Sequence, residues 1–334
     1  MRASIPPGKV FGRYRIVRVI GSGGMGTVYE ARHTELDRRV AVKVLPRRFA
    51  ENPVVLGRFM REGRAVARIE HPHVVVVSDV GMEDGTPYLV MEYLEGESLG
   101  ALLARERRLE VSRAIDLLVP VVSAVSAAHA AGIVHRDLKP DNVLLVRTPH
   151  GVPHPKVLDF GISKMETEHG VTATGMLLGT PKYMSPEQAL NSKDVSTPTD
   201  QWSLGVIIYE CITGRPAFQS ESLFELLQRI SSTEYTPMTA LAPDVPEALE
   251  HVVERAMARD PAARYPSMLD FGRALLPFAS QETAARWTAA FDERAAAPSI
   301  ERRAVEPRRG SDRTVTGADD GRAAQLEQLL RRAS

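Results

Sequence analysis

Between Tyr14 and Leu45 apolar and polar residues alternate in three runs, Tyr14–Ile20, Thr27–Arg32 and Arg39–Leu45. A glycine cluster and the segment His33–Asp37 break them. A period of two puts successive side chains on opposite faces of a sheet, so the runs predict three antiparallel strands. Pro53–Ile69 switches to a helical period, with Val55, Phe59, Val66 and Ile69 on one side. Two further strand patterns follow, Val74–Val80 and Tyr88–Glu92, with Glu83-Asp84-Gly85-Thr86 as the turn between them. Beyond Glu95-Gly96 the pattern is mainly helical: Leu99–Arg105, Ser112–Ala131, Pro198–Thr213, Ser222–Ser231, Pro246–Ala258 and Met268–Leu276. Gly132–Glu187 lies between them and is rich in loops. The chain is therefore read as α+β and bilobal. A small five-stranded antiparallel β lobe with one main helix spans 14–94, and a larger, mainly α-helical lobe spans 95–279.

Residues 1–13 form an N-terminal extension and 280–334 a C-terminal tail in this division. Within the tail, Ala295–Arg322 has almost no large apolar residue and reads as linker, because it cannot bury enough surface to order itself. Two helical patterns flank it, Gln281–Arg294 with Trp287 and Phe291, and Ala323–Leu330. Three local features run against the pattern. Pro120 sits inside a helical run and predicts a kink or boundary, since an interior proline costs about 3 kcal/mol. Gly63, beside Glu62, costs its helix about 1 kcal/mol relative to alanine. It suggests a helix that is loose at rest and tightens on activation. Leu117–Val134 is apolar enough to span a membrane, but with Pro120, Ser123, Ser126 and His129 it reads as a core helix.

Composition narrows the class. Lys plus Arg and Asp plus Glu balance at 42 each, which gives no electrostatic basis for binding nucleic acid or an anionic membrane. The single cysteine, Cys211, lies in an apolar run and reads as a buried structural thiol in a reducing, cytoplasmic compartment. Met1–Gly12 has no apolar core long enough for a signal peptide.

Candidate chemistry concentrates in His135-Arg136-Asp137-Leu138-Lys139-Pro140-Asp141-Asn142 and Asp159-Phe160-Gly161. These segments offer an acid, a nearby lysine and two oxygen ligands, the set that phosphoryl transfer needs. Gly21-Ser22-Gly23-Gly24-Met25-Gly26 lies between two strands rather than before a helix, and the Gly-Lys-Ser/Thr of a P-loop is absent. A hairpin of this kind can close over phosphates and offer backbone N–H groups. With Val40-Ala41-Val42-Lys43, these motifs match the protein kinase signature set in order and spacing, and the chain from Tyr14 to Leu276 resembles that family. Its motifs look most like those of eukaryotic-like bacterial serine/threonine kinases.

The resemblance implies a protein kinase fold, ATP and Mg²⁺ (with Mn²⁺ as an alternative), and Ser/Thr hydroxyls of proteins as acceptors. It implies Asp137 as the catalytic base, Lys139 on the transferring phosphoryl group, and Asn142 and Asp159 as metal ligands. Lys43 would hold the α/β-phosphates and pair with Glu62. Nucleotide contacts would come from Ile20, Gly21, Ser22, Gly23, Gly24, Met25, Gly26, Thr27 and Val28, from Ala41 and Leu144, and from the backbone of Glu92 and Leu94. Thr180 would orient the acceptor hydroxyl, and Thr172 and Thr174 would be autophosphorylated, with self-association allowing this in trans. Ser185-Pro186-Glu187 departs from the family's Ala-Pro-Glu by one small residue; Glu187 would pair with Arg264, and Asp200 would hold the catalytic loop. Two rivals stand beside this reading, a non-catalytic pseudokinase and a small-molecule phosphotransferase. Retention of Lys43, Asp137 and Asp159 speaks against the first, and the long activation segment against the second.

Overall fold

A computed structural model describes residues 5–23, 26–149, 151–160, 181–190 and 195–292. The small lobe is a sheet of β1 (Val10–Phe11), β2 (Tyr14–Gly23), β3 (Gly26–His33), β4 (Arg39–Val44), β5 (Val77–Glu83) and β6 (Thr86–Glu92). Their order is β1-β2-β3-β4-β6-β5, with every neighbouring pair antiparallel. The sheet thus has six strands where the pattern predicts five. Strand β1 is two residues long, too short to show an alternation. It forms because Phe11 buries against Tyr14, Ile16, Tyr29 and Tyr88 on the outer face of the sheet. Strand β5 begins at Val77, three residues later than the sequence predicts. The unbroken apolar run Val74–Val77 carries no alternation to set its start, and Val74 and Val75 pair with Val157 instead.

Helices α1 (Arg48–Glu51) and α2 (Pro53–Val66) follow β4. Asn52 caps α2, its side chain accepting from Val54 N and Val55 N, and Pro53 supplies a first residue that needs no hydrogen bond. Gly63 has a packing role on the sheet. A Cβ there would sit 3.0 Å from Val80 Cγ2 and 3.3 Å from Leu89 Cδ1, so the missing side chain lets α2 lie close on the sheet.

The large lobe holds α3 (Leu99–Glu106), α4 (Val111–Ala130), α5 (Pro186–Ala189), α6 (Pro198–Thr213), α7 (Leu223–Ser232), α8 (Met238–Leu241), α9 (Glu247–Ala256), α10 (Met268–Leu275) and α11 (Gln281–Trp287). Helix α4 runs unbroken through Pro120, so the boundary expected there is absent. Ile115, Leu118, Val119, Val121 and Val122 of α4 are fully buried, and α6 is buried almost all round. Such burial offsets the cost of the proline and explains the membrane-like composition of α4. The sequence pattern also missed a second sheet, β7 (Gly96–Ser98), β8 (Val143–Val146) and β9 (His154–Val157), antiparallel in that order. Its strands have three or four residues each and sit inside loop-rich sequence. Helix α11 is shorter than its pattern and gives way to a single turn, Ala289–Phe291. The linker and the Ala323–Leu330 pattern lie outside the described residues.

Candidate active site

Register sets one wall of the cleft. Val28 pairs with Lys43, Lys43 with Leu89, and Ala41 with Met91, so these side chains share a sheet face. Ala41, Lys43 and Met91 are buried, while Ile20 is exposed on β2. Leu94 is partly buried beside the core, and Leu144 pairs with Ser98 across the second sheet. Gly26 has φ +135°, and a Cβ there would lie 2.4 Å from Val44 O, so only glycine allows β3 to start beside β4. Among the described residues, a Cβ at Gly23 would meet nothing within 4 Å, and one at Gly21 would meet Val28 Cβ at 3.9 Å. Ser22 and Thr27 face each other across the hairpin, 3.4 Å apart. Gly24 and Met25 lie outside the described residues.

Glu92 does more than its sequence context indicates. Its N–H donates to Val76 O at 3.0 Å, and its Oε1 accepts from Val76 N at 2.8 Å and from Lys156 Nζ at 2.5 Å. The connection between the lobes is therefore bolted to β9 by an ion pair that sequence reasoning missed. A lone lysine in a short strand carries no signal for such a partner.

The loop after α4 is held from below. Asp200, fully buried at the start of α6, accepts from His135 N at 2.8 Å, Arg136 N at 2.9 Å and His129 Nε2 at 2.7 Å. His135 Nδ1 accepts from Asp137 N at 3.3 Å, which leaves Nε2 to donate to Leu158 O at 2.8 Å. These bonds stabilise Arg136 at φ +63° and Asp159 at φ +53°, left-handed conformations that cost a non-glycine residue about 1–3 kcal/mol each. Phe160, buried, packs against the His135 ring with centroids 4.9 Å apart.

On this scaffold the polar groups converge. Asp137 Oδ2 accepts from Lys139 Nζ at 2.9 Å. Asn142 Nδ2 donates to Asp137 O at 2.7 Å, which fixes the amide and leaves its Oδ1 as an oxygen ligand. Leu158 N donates to Asn142 O at 2.8 Å, so Asn142 and Asp159 lie on adjoining chain segments. Their hard oxygens suit a divalent cation that keeps water and phosphate as its other ligands. No cluster of three or more His, Cys, Asp or Glu capable of holding a metal exists among the described residues, so a cation here takes part of its shell from elsewhere.

Lys43 departs from the sequence reading. Its ammonium pairs with Asp159 Oδ1 at 2.8 Å rather than with Glu62, which sits half-buried on α2. Burial acts to raise the Asp159 carboxyl, but the charge and hydrogen bond of Lys43 outweigh it and hold the group below the ordinary carboxylate range. The difference has a physical origin. The turn at Asp159 brings a carboxylate 116 residues away into reach of the ammonium.

The supports of the large lobe fall where the sequence puts them. Arg264 Nη1 and Nη2 donate to Glu187 Oε1 and Oε2 at 2.8 and 2.9 Å. Ser185, in place of the family's alanine, caps α5 in a reciprocal pair with Gln188, and Gln188 Nε2 donates to Arg136 O at 2.9 Å. Asp141 is exposed in the turn Pro140–Asn142. Gly161, Thr167, Thr172, Thr174 and Thr180 lie outside the described residues.

Comparison with known proteins agrees with this geometry. The protein kinase domain model matches residues 14–270. The serine/threonine-protein kinase Pkn1 of Myxococcus xanthus is 43% identical over 265 residues, 79% of this chain and 38% of that protein. PknA of Mycobacterium tuberculosis is 42% identical over 261 residues, 77% of this chain and 59% of that protein. The chain thus spans about two fifths to three fifths of the length of these relatives. The crystal structure of the Mycobacterium tuberculosis PknI kinase domain superposes with a TM-score of 0.66 at 28% identity, covering 83% of this chain and all of that one. With a matched domain over most of its length, a bilobal fold shared with solved kinase structures and the motif residues gathered in one cleft, the chain belongs to the protein kinase domain family.

Proposed function

We propose that this chain is a serine/threonine protein kinase that transfers the γ-phosphoryl group of MgATP to hydroxyls of protein substrates. The observation that carries the reading is that two ion pairs, Lys43–Asp159 and Asp137–Lys139, stand on adjoining segments, with Asn142 bonded to Asp137 O and accepting from Leu158 N beside Asp159. Asp137 accepts the proton of the attacking hydroxyl, and the Asn142 bond to its carbonyl keeps the carboxylate in place. Lys139 and Lys43 supply fixed positive charge where phosphate charge develops. Asn142 Oδ1 and Asp159 would hold Mg²⁺, which neutralises phosphate oxygens when bound. The glycine-rich hairpin, where added Cβ atoms at Gly21 and Gly23 would meet no described residue closer than 3.9 Å, closes over the phosphates. Thr180 as the residue that orients the acceptor hydroxyl, activation through Thr172 and Thr174 in self-associated molecules, and a cytoplasmic location belong to the same proposal. The last is supported by the single, fully buried thiol.

Phosphate incorporation from labelled ATP into a Ser/Thr substrate tests it. Asp137→Asn should lower kcat by about 10²–10⁴-fold while ATP still binds, because a positioned proton acceptor contributes that much. Equal incorporation by both proteins would remove Asp137 from the mechanism, and none by wild type would leave a pseudokinase.

A further inference from the structure

Residues 280–292 reach from α4 and α10 of the large lobe to His73, in the segment that follows α2. Ser280 caps α11 and its N–H donates to Asp116 Oδ1 on α4 at 2.9 Å. At the other end Phe291, 1% exposed, fills a notch made by Gly272 of α10, where a Cβ would fall 2.4 Å from its ring. Arg273 Nη2 closes that notch by donating to Phe291 O at 2.7 Å. Between these two anchors lies Trp287, its ring centroid 6.1 Å from Phe291 and 5.5 Å from His73.

His73 belongs to the turn that follows α2. Its ring stacks on His154 with centroids 4.2 Å apart, and its Nδ1 donates to Pro155 O at 2.6 Å. His73 O accepts from Val157 N at 2.8 Å, and His71 Nε2 lies 3.1 Å from Ser123 Oγ on α4. Burial, opposed by the bond to Pro155, pushes the His73 imidazole down to about 4, so the ring packs in its neutral form. The same turn therefore joins the end of α2 to β9, and β9 leads within two residues to Asp159.

We infer that Trp287 is a positioning residue for the phosphoryl-transfer site: packed on His73, it holds the turn that sets both α2 and the Asp159 segment. The functional side of this inference rests on the kinase reading; the structural side does not. The segment is then a working part of the catalytic domain rather than the start of a tail.

The full chain is compared as wild type, Trp287→Ala and Trp287→Phe, with Trp287→Leu where alanine fails to fold. Hydrogen exchange should rise roughly tenfold in 67–76 and 154–159 in the alanine variant, and stay near wild type with phenylalanine. Below the melting temperature, kcat should fall roughly five- to twentyfold with a smaller change in KM for ATP, a size typical of coupling between sites. Exchange that rises only in 280–292, or a lower melting temperature with kcat unchanged, would overturn the inference. If wild type transfers no phosphate, the kinase reading fails while the exchange data still decide the role of Trp287.

Discussion

Replacing Arg264 with methionine removes a buried charge while keeping much of the side-chain volume. The Arg264 side chain has no exposure and that of Glu187 has 13%, so neither water nor counter-ions can take over. Four hydrogen bonds go with the guanidinium: two to Glu187, one to Pro198 O at 2.9 Å and one to Ala258 O at 2.9 Å. Its contact over Trp202, 5.3 Å from the ring centroid, also changes. Thr199 Oγ1, at 2.7 Å, would be the remaining hydrogen-bond donor to the Glu187 carboxylate among these groups. Breaking a buried pair from one side costs about 3–5 kcal/mol, which lowers the melting temperature by something on the order of 10 °C. The pH dependence should also change sign. In wild type, burial acts to raise the Glu187 carboxyl, and the hydrogen bonds and charge of Arg264 outweigh it, leaving it below the ordinary range. Its contribution is full above the unfolded carboxylate value of about 4.3 and is lost as pH falls through the lower folded value. Without Arg264, burial, the largest influence, is opposed only by the hydrogen bonds from Thr199 and the Glu187 backbone, so the carboxyl should rise above its unfolded value and protonation relieve the penalty. Urea unfolding at pH 8 and pH 5 reads both effects, and the deficit of the variant should be smaller at pH 5. A deficit under about 1 kcal/mol at pH 8, or one that grows on acidification, would refute the buried-pair argument.

Gly63→Ala sets about 1 kcal/mol of helix propensity against about 1–3 kcal/mol of overpacking on Val80 and Leu89, so a lower urea midpoint is expected. A higher midpoint would show that α2 was not packed as tightly as the geometry requires. Burial raises the Cys211 thiol far above its ordinary value, with Glu210 adding to the shift, so a thiol reagent should label the native chain only as fast as it unfolds. Labelling at the rate of an exposed thiol would contradict the burial.

The elements that sequence reasoning located are those with a long, regular period. The helix at Pro198–Thr213 was placed to the residue, and those at Leu99 and Met268 to within one residue at their ends. It failed where few residues define an element: Val10–Phe11, the three strands of the second sheet, and Met238–Leu241. Val74–Val77 shows a related failure, since an unbroken apolar run has no alternation to choose a partner. The motif residues from Lys43 to Asp159 were legible because their types and spacing are local properties of the chain.

Chemical identity is thus a property of the sequence: which side chains can accept a proton, donate positive charge or ligate a cation is written in residues 135–142, 159 and 43. Pairing is a property of the fold. That Lys43 meets Asp159 instead of Glu62, that Glu92 is clamped by Lys156, and that Trp287 rests on His73 depend on distances between segments far apart in the chain. Ion pairs and ring contacts act over a few ångströms, and only the packed core decides which of several chemically equivalent partners comes within that range.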